Sequence, residues 1–138
     1  MRLILLFIVF ISCANPQEAI IYTPQEVITK DTLTNLINQE RIRFSLNELK
    51  PEKQLIELSK AKAIQMEANQ EINHNGFSSL PIQAQTYGQI VGFGYSSELN
   101  LFKAYINSPN HNKAVLGNFT HLGSYTFKRY NCVIFAKY

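Results

Sequence analysis

Behind Asp31, a good N-cap residue, Leu33, Leu36, Ile37, Glu40 and Phe44 recur at helical spacing and predict a first helix over 32–44. Ser45 to Leu49 reads as a connector ending in an apolar plug. Lys50-Pro51-Glu52 opens a second helix, with proline early and a carboxylate in the first turn. Its core stripe reads Leu55, Leu58, Ala61, Ile64 or Gln65, and Ala68, and it ends near Asn69, which leaves His74 in the following loop. Pro81 to Tyr95 reads as strand and loop, where Gly88, Gly92 and Gly94 permit unusual backbone angles. Ser96-Ser97-Glu98 starts a third helix whose apolar face is Leu99, Phe102, Ala104, Tyr105 and Ile106. Pro109 begins a short helix through about Leu116, with His111 on its first turn, and Gly117-Asn118 stops it. His121 to Phe127 and Asn131 to Tyr138, separated by Lys128-Arg129-Tyr130, read as a terminal hairpin with a solvated turn.

Ahead of these elements, Met1-Arg2 is followed by nine apolar residues, Leu3 to Ile11, the form of a secretory signal and too short to span a bilayer comfortably. Phe10-Ile11-Ser12-Cys13 resembles a bacterial lipobox, in which Cys13 becomes the lipid-carrying first residue. The other reading is cleavage after Ala14 within Ser12-Cys13-Ala14, which makes a secreted protein. The favoured division is a signal peptide over 1–12, a lipidated N-terminus and tether over 13–30, and one folded domain over 31–138. Under either reading Cys132 is left without an intrachain partner, and its neighbours Val133-Ile134-Phe135 make it a buried core residue. The chain carries 13 basic and 10 acidic residues, a formal charge of +3 that falls by one with Arg2, so it lacks the electrostatic footprint of a nucleic-acid binder.

The chemistry concentrates around two histidines. His74 lies in Ile72-Asn73-His74-Asn75-Gly76-Phe77, and His111 in Ser108-Pro109-Asn110-His111-Asn112. The expected fold brings His74, Gln89, Ser108 and His111 onto the floor of one surface cleft. The order of the pieces from about Leu33 to Tyr138 resembles the CAP superfamily of cysteine-rich secretory, antigen 5 and pathogenesis-related-1 proteins. Asn38-x-x-Arg41 is similar to the family's helix-one motif, and Leu55-x-x-Leu58-Ser59-x-Ala61-x-x-Ile64-x-Met66 to its second helix. His74 matches the first family histidine. Ser108-Pro109-Asn110-His111 with Asn118-Phe119-Thr120-His121-Leu122-Gly123 looks like the bacterial signature, the most specific match in the chain. The resemblance implies an α+β fold, an α-β-α sandwich with a central antiparallel sheet, and a cleft holding a His/Glu/Glu/His tetrad.

Two departures alter the expected chemistry. The family's Gly-Glu-Asn-Ile stands here as Gly88-Gln89-Ile90, and the second acidic position falls at or near Ser108, so both tetrad carboxylates are gone. Zinc at His74 and His111 then has only Gln89 and Ser108 as poor additional ligands, and binding there is expected to be weak. Ser108 near His111 imitates a nucleophile–base pair, but no carboxylate orients the imidazole, and Glu98 reads as a first-turn residue of its own helix. Phe77, Tyr87, Phe93, Tyr95 and Phe102 read as core and cleft walls, or as the lining of a lipid groove. His121 reads as a surface residue. The favoured function is a non-enzymatic surface lipoprotein in the bacterial envelope, held to the membrane by its lipid and binding a macromolecular or host-derived partner. The alternatives are a weak metal-dependent hydrolase and a small-lipid or sterol binder using the His74/His111 cleft.

Overall fold

The computed structural model describes residues 32–138, so the signal, Cys13, the tether and Asp31 lie outside the described residues. Helix α1 (Leu33–Arg43) is capped by Thr32, whose hydroxyl accepts from Asn35 N. The expected cap was Asp31; the residue that does the work is its neighbour, whose extended backbone aims its oxygen at the first turn. A second acceptor comes from far along the chain, since the Glu98 carboxylate accepts from Leu33 N at 2.6 Å. Asn38 then fastens the connector, donating to Leu49 O and accepting from Leu49 N.

Lys50 and Pro51 form a short strand, β1, rather than the start of the second helix. It lies at the sheet's edge, where a proline without an N–H does no harm. Helix α2 (Lys53–Asn69) starts three residues later than expected, with the Glu52 carboxylate accepting from Leu55 N as its cap. Its buried face is also shifted: Leu55, Ser59, Lys62, Ala63 and Met66 point inward, whereas Ala61, Ile64 and Ala68 are exposed. An apolar count misses this face because it contains two polar residues, each given partners by the fold. Ser59 Oγ donates to Gly123 O at 2.8 Å, and Lys62 holds the next loop, as described below.

Strands β2 (Thr86–Phe93), β3 (His121–Phe127) and β4 (Tyr130–Lys137) complete a four-stranded sheet in the order β1-β3-β4-β2. β4 is antiparallel to both neighbours, and only the two-residue β1 runs parallel, to β3. β4 is buried along nearly its whole length and separates two cores. On one face Cys132, Ile134 and Ala136 meet Leu55 and Met66 of α2. On the other, Val133 and Phe135 meet α1 together with helices α3 (Glu98–Asn107) and α4 (Pro109–Val115). Alternation along one strand thus builds the expected α-β-α sandwich.

Three local expectations change. Leu99 is 44% exposed, and α3 packs through the expected Phe102 and Tyr105 with Leu101 in place of Leu99. Tyr130 is buried in β4, while Lys128, at φ 52°, makes the turn and Arg129 stacks over the Phe93 ring at 4.7 Å. His121 is only half-exposed, its ring against Tyr138 and its Nδ1 2.8 Å from Thr120 Oγ1. Cys132 is fully buried, and burial pushes its thiol up to about 12, so it stays protonated as a small core residue.

Candidate functional site

α2 ends at Gln70 in the left-handed conformation, and Glu71 N returns to Met66 O, which closes the helix and starts the loop that carries His74. The loop is held largely by polar contacts, and Lys62 supplies two of them. Its Nζ donates to Asn73 Oδ1 at 2.7 Å and to Asn75 O at 2.9 Å, one contact on each side of His74. Asn75 N also donates to Asn73 Oδ1, and Gly76, at φ 80°, turns the chain so that Phe77 N reaches His74 O. Burial lowers the Lys62 pKa from its ordinary value, partly offset by Glu71. His74 Nδ1 then lies 2.8 Å from Gln89 Oε1. With the amide oxygen accepting, Nδ1 carries the proton and Nε2 is left open.

Gln89 belongs to β2, the end strand of the sheet. From the other layer, the α3–α4 corner reaches the same strand. Ser108 closes α3, with its N–H donating to Tyr105 O, and opens α4, with its own carbonyl accepting from Asn112 N. The Ser108 side chain caps neither helix. Pro109 fixes the first turn, and His111 follows two residues later with its ring edge-on to Tyr105 at 5.2 Å. Tyr105 is itself locked, donating to Asn131 Oδ1 at 2.8 Å, and it fits only because residue 92 is glycine: a Cβ there would lie 2.7 Å from the phenol oxygen. Burial raises the Tyr105 pKa well above its usual value, so the phenol remains a neutral donor.

These pieces enclose a cavity of about 260 Å³, lined by Ser108, His111 and Tyr105, by the end of β2 and by Ile72 of the His74 loop. His74 and Gln89 do not line it; they stand beside it, near enough for the charge of His74 to act on His111. The structure therefore joins the four sequence candidates as two neighbouring pairs, His74 with Gln89 and Ser108 with His111. Ile72, Phe93 and Tyr95 rim the cavity and are 47%, 42% and 45% exposed. Of the other aromatics, Phe77 and Tyr87 stack edge-to-face beside the loop, and Phe102 is core. The sequence reading missed Lys62 and Ile72; the only signal for Lys62 was its helical register with the buried Ser59 and Met66.

Among the described residues no three His, Cys, Asp or Glu side chains gather as a metal cage. Two imidazoles with neutral Gln89 and Ser108 make a poor donor set for a dication, which favours three or four strong ligands. Nor, among the described residues, does a carboxylate orient His111: Glu98 caps the start of α1. Desolvation, and then the charge of His74, lower the His111 pKa from its ordinary 6.5. The folded state thus binds this proton less readily than the unfolded chain. The stability contribution is fully present above the ordinary histidine value and is lost as pH falls below it. Thermal melts between about pH 7 and 5 should show a falling midpoint that His111→Gln makes shallower; an identical slope in the variant removes His111 as the cause.

The model of the cysteine-rich secretory protein family, CAP, matches residues 34–131. Similar solved structures include an outer surface protein from Borrelia burgdorferi, 25% identical, with a TM-score of 0.69 over 76% of this chain and 89% of that one. An extracellular protein containing an SCP domain from Bacillus anthracis is 20% identical, with a TM-score of 0.72 over 77% of this chain. A cysteine-rich secretory protein from Staphylococcus aureus is 19% identical, with a TM-score of 0.70 over 77% of this chain. These last two show the fold alone, and the chain spans only 39% and 37% of their lengths. A search of curated protein sequences finds no match. A family model that covers most of the chain, on a sandwich that these structures share, makes this protein a member of the CAP family.

Proposed function

We propose that this CAP domain is a non-enzymatic binding module at a bacterial surface, and that the β2 edge engages a macromolecular partner. The observation that carries the reading is a polar floor without carboxylates beneath three exposed apolar side chains, Ile72, Phe93 and Tyr95. Neutral His111 and Ser108 offer hydrogen bonds without charge, and the apolar rim offers the desolvated contact area typical of interface centres. Acid–base catalysis lacks its second group: His111 has a neutral phenol as its ring neighbour, and His74 has a neutral amide. Surface placement is supported by the Borrelia relative, itself an outer surface protein. Anchoring through acylated Cys13 follows from the lipobox-like end of the apolar leader. Mass spectrometry of the mature N-terminus tests it, and an unlipidated chain beginning at Asn15 rejects it.

The binding reading is tested with the wild type and a Phe93→Ser/Tyr95→Ser variant on immobilised serum and extracellular-matrix proteins. Saturable binding by the wild type, weakened roughly tenfold or more in the variant, is expected from the loss of two central aromatics. In parallel, a peptide and ester panel with and without added Zn²⁺ should give no turnover above that of His111→Ala. His111-dependent hydrolysis overturns the proposal in favour of the weak hydrolase. A small-lipid ligand remains the second reading, resting on the same apolar rim, and retention of a sterol or fatty acid by the wild type but not by the double variant is what would favour it.

A further inference from the structure

A larger cavity, of about 560 Å³, lies at the other end of α4 from His111, between the 46–50 connector, the 116–121 loop and Tyr138. That volume falls within the range of about 300–1,000 Å³ typical of small-molecule sites. One of its lining residues is Arg41, which is 2% exposed. Arg41 Nε donates to Asn47 O at 2.9 Å, and Nη1 donates to Val115 O and Gly117 O, both at 2.8 Å. Nη2 has only Phe119 O, at 3.5 Å, a distance at which little hydrogen bond remains. Every partner is a neutral carbonyl, and among the described residues no carboxylate lies within ion-pair distance. A buried guanidinium without a counter-charge is costly, and the under-used nitrogen belongs to a residue that lines the cavity.

The rest of the lining fixes the kind of anion. Lys50 and Glu48 also line the cavity, so an exposed cation and one side-chain carboxylate accompany the buried guanidinium of Arg41. Leu46, Leu116 and Phe119 supply apolar wall. His121 has one ring nitrogen engaged by Thr120 and the other open. We propose that this second cavity binds a small organic carboxylate, its monoanion seated by Arg41 Nη2 and Lys50 and its apolar body against Phe119 and Leu116. A phosphate dianion brings more negative charge against Glu48 than a monoanion does, and has no apolar body for Phe119 and Leu116. A neutral molecule leaves Arg41 as it is. The site is separate from the β2-edge cleft and does not rest on the function proposed for that cleft.

The test follows backbone amide shifts of the intact ¹⁵N-labelled chain during titration with 4-phenylbutyrate, its neutral amide and inorganic phosphate. Saturable shifts over residues 116–121 are expected with the acid, with the amide and phosphate each at least roughly tenfold weaker, because charge-assisted bonds supply the difference. Lys50 is exposed, so Lys50→Glu should fold normally and weaken the acid roughly fivefold by charge reversal. His111→Ala should leave this affinity unchanged. Equal binding of acid and amide, shifts confined to the β2-edge cleft, no saturable shift at all, or full affinity in Lys50→Glu overturns the proposal.

Discussion

Gly123→Ala should lower the unfolding midpoint by at least about 12 °C, or leave no folded protein. A Cβ at this position would lie 2.1 Å from Leu55 C and 2.2 Å from Ile56 N, both of them backbone atoms of α2. No rotamer change relieves such a clash, so the helix must lift off β3. Lifting it loosens the Ser59–Gly123 hydrogen bond and the packing of Leu55 and Met66 on β4. Overpacking a core with flexible neighbours costs about 1–3 kcal/mol; backbone against backbone should reach at least about 3 kcal/mol. A domain of this size loses about 4 °C per kcal/mol at the low end of the usual range. Gly88→Ala is the control, because its Cβ meets only the Phe119 ring at 3.0 Å, a side chain that can shift. Circular-dichroism melts of both variants decide it. If Gly123→Ala melts within a few degrees of Gly88→Ala, α2 does not rest on β3 as described.

Arg41→Met should cost roughly 3–5 kcal/mol. Methionine keeps most of the buried stem and removes only the polar head. That head binds the connector through Asn47 O and the end of α4 through Val115 O and Gly117 O, so it holds α1, the 46–49 turn and α4 in one arrangement. Each buried carbonyl left without a donor costs about 1–3 kcal/mol. The α4 carbonyls also carry the negative end of that helix's dipole, so the cation and the helix end stabilise one another. Lysine is not a substitute, since one ammonium lacks the planar fork that serves three separated carbonyls. Urea unfolding measures the difference. A loss under about 1 kcal/mol would mean that solvent reaches these carbonyls once the guanidinium is gone.

The residues that could be read in advance are those whose signal is local. Ser97 and Pro109 start helices because of their own cap and ring geometry, and both do so in the structure. The terminal hairpin was readable because period-two alternation needs no knowledge of the partner layer. Helix faces were misread wherever burial depended on a distant partner. Lys62 is inside because Asn73 and Asn75 come back to meet it, and Leu99 is outside because α3 turns Leu101 toward the core. For the candidate site, sequence supplied His74, Gln89, Ser108 and His111, but not their grouping into two pairs about the end strand.

The sequence by itself determined the family, the order of helices and strands apart from the edge strand β1, and the absence of carboxylates at Gln89 and Ser108, because residue identity and short-range periodicity carry those facts. Only the tertiary structure decided that Glu98 caps α1 from 65 residues away, that Gly123 is the contact point for α2, and that Arg41 closes a second cavity. Each of these depends on atoms brought together across the sheet or around the helix ends. No periodicity along the chain encodes which distant carbonyl, amide or backbone a side chain will meet.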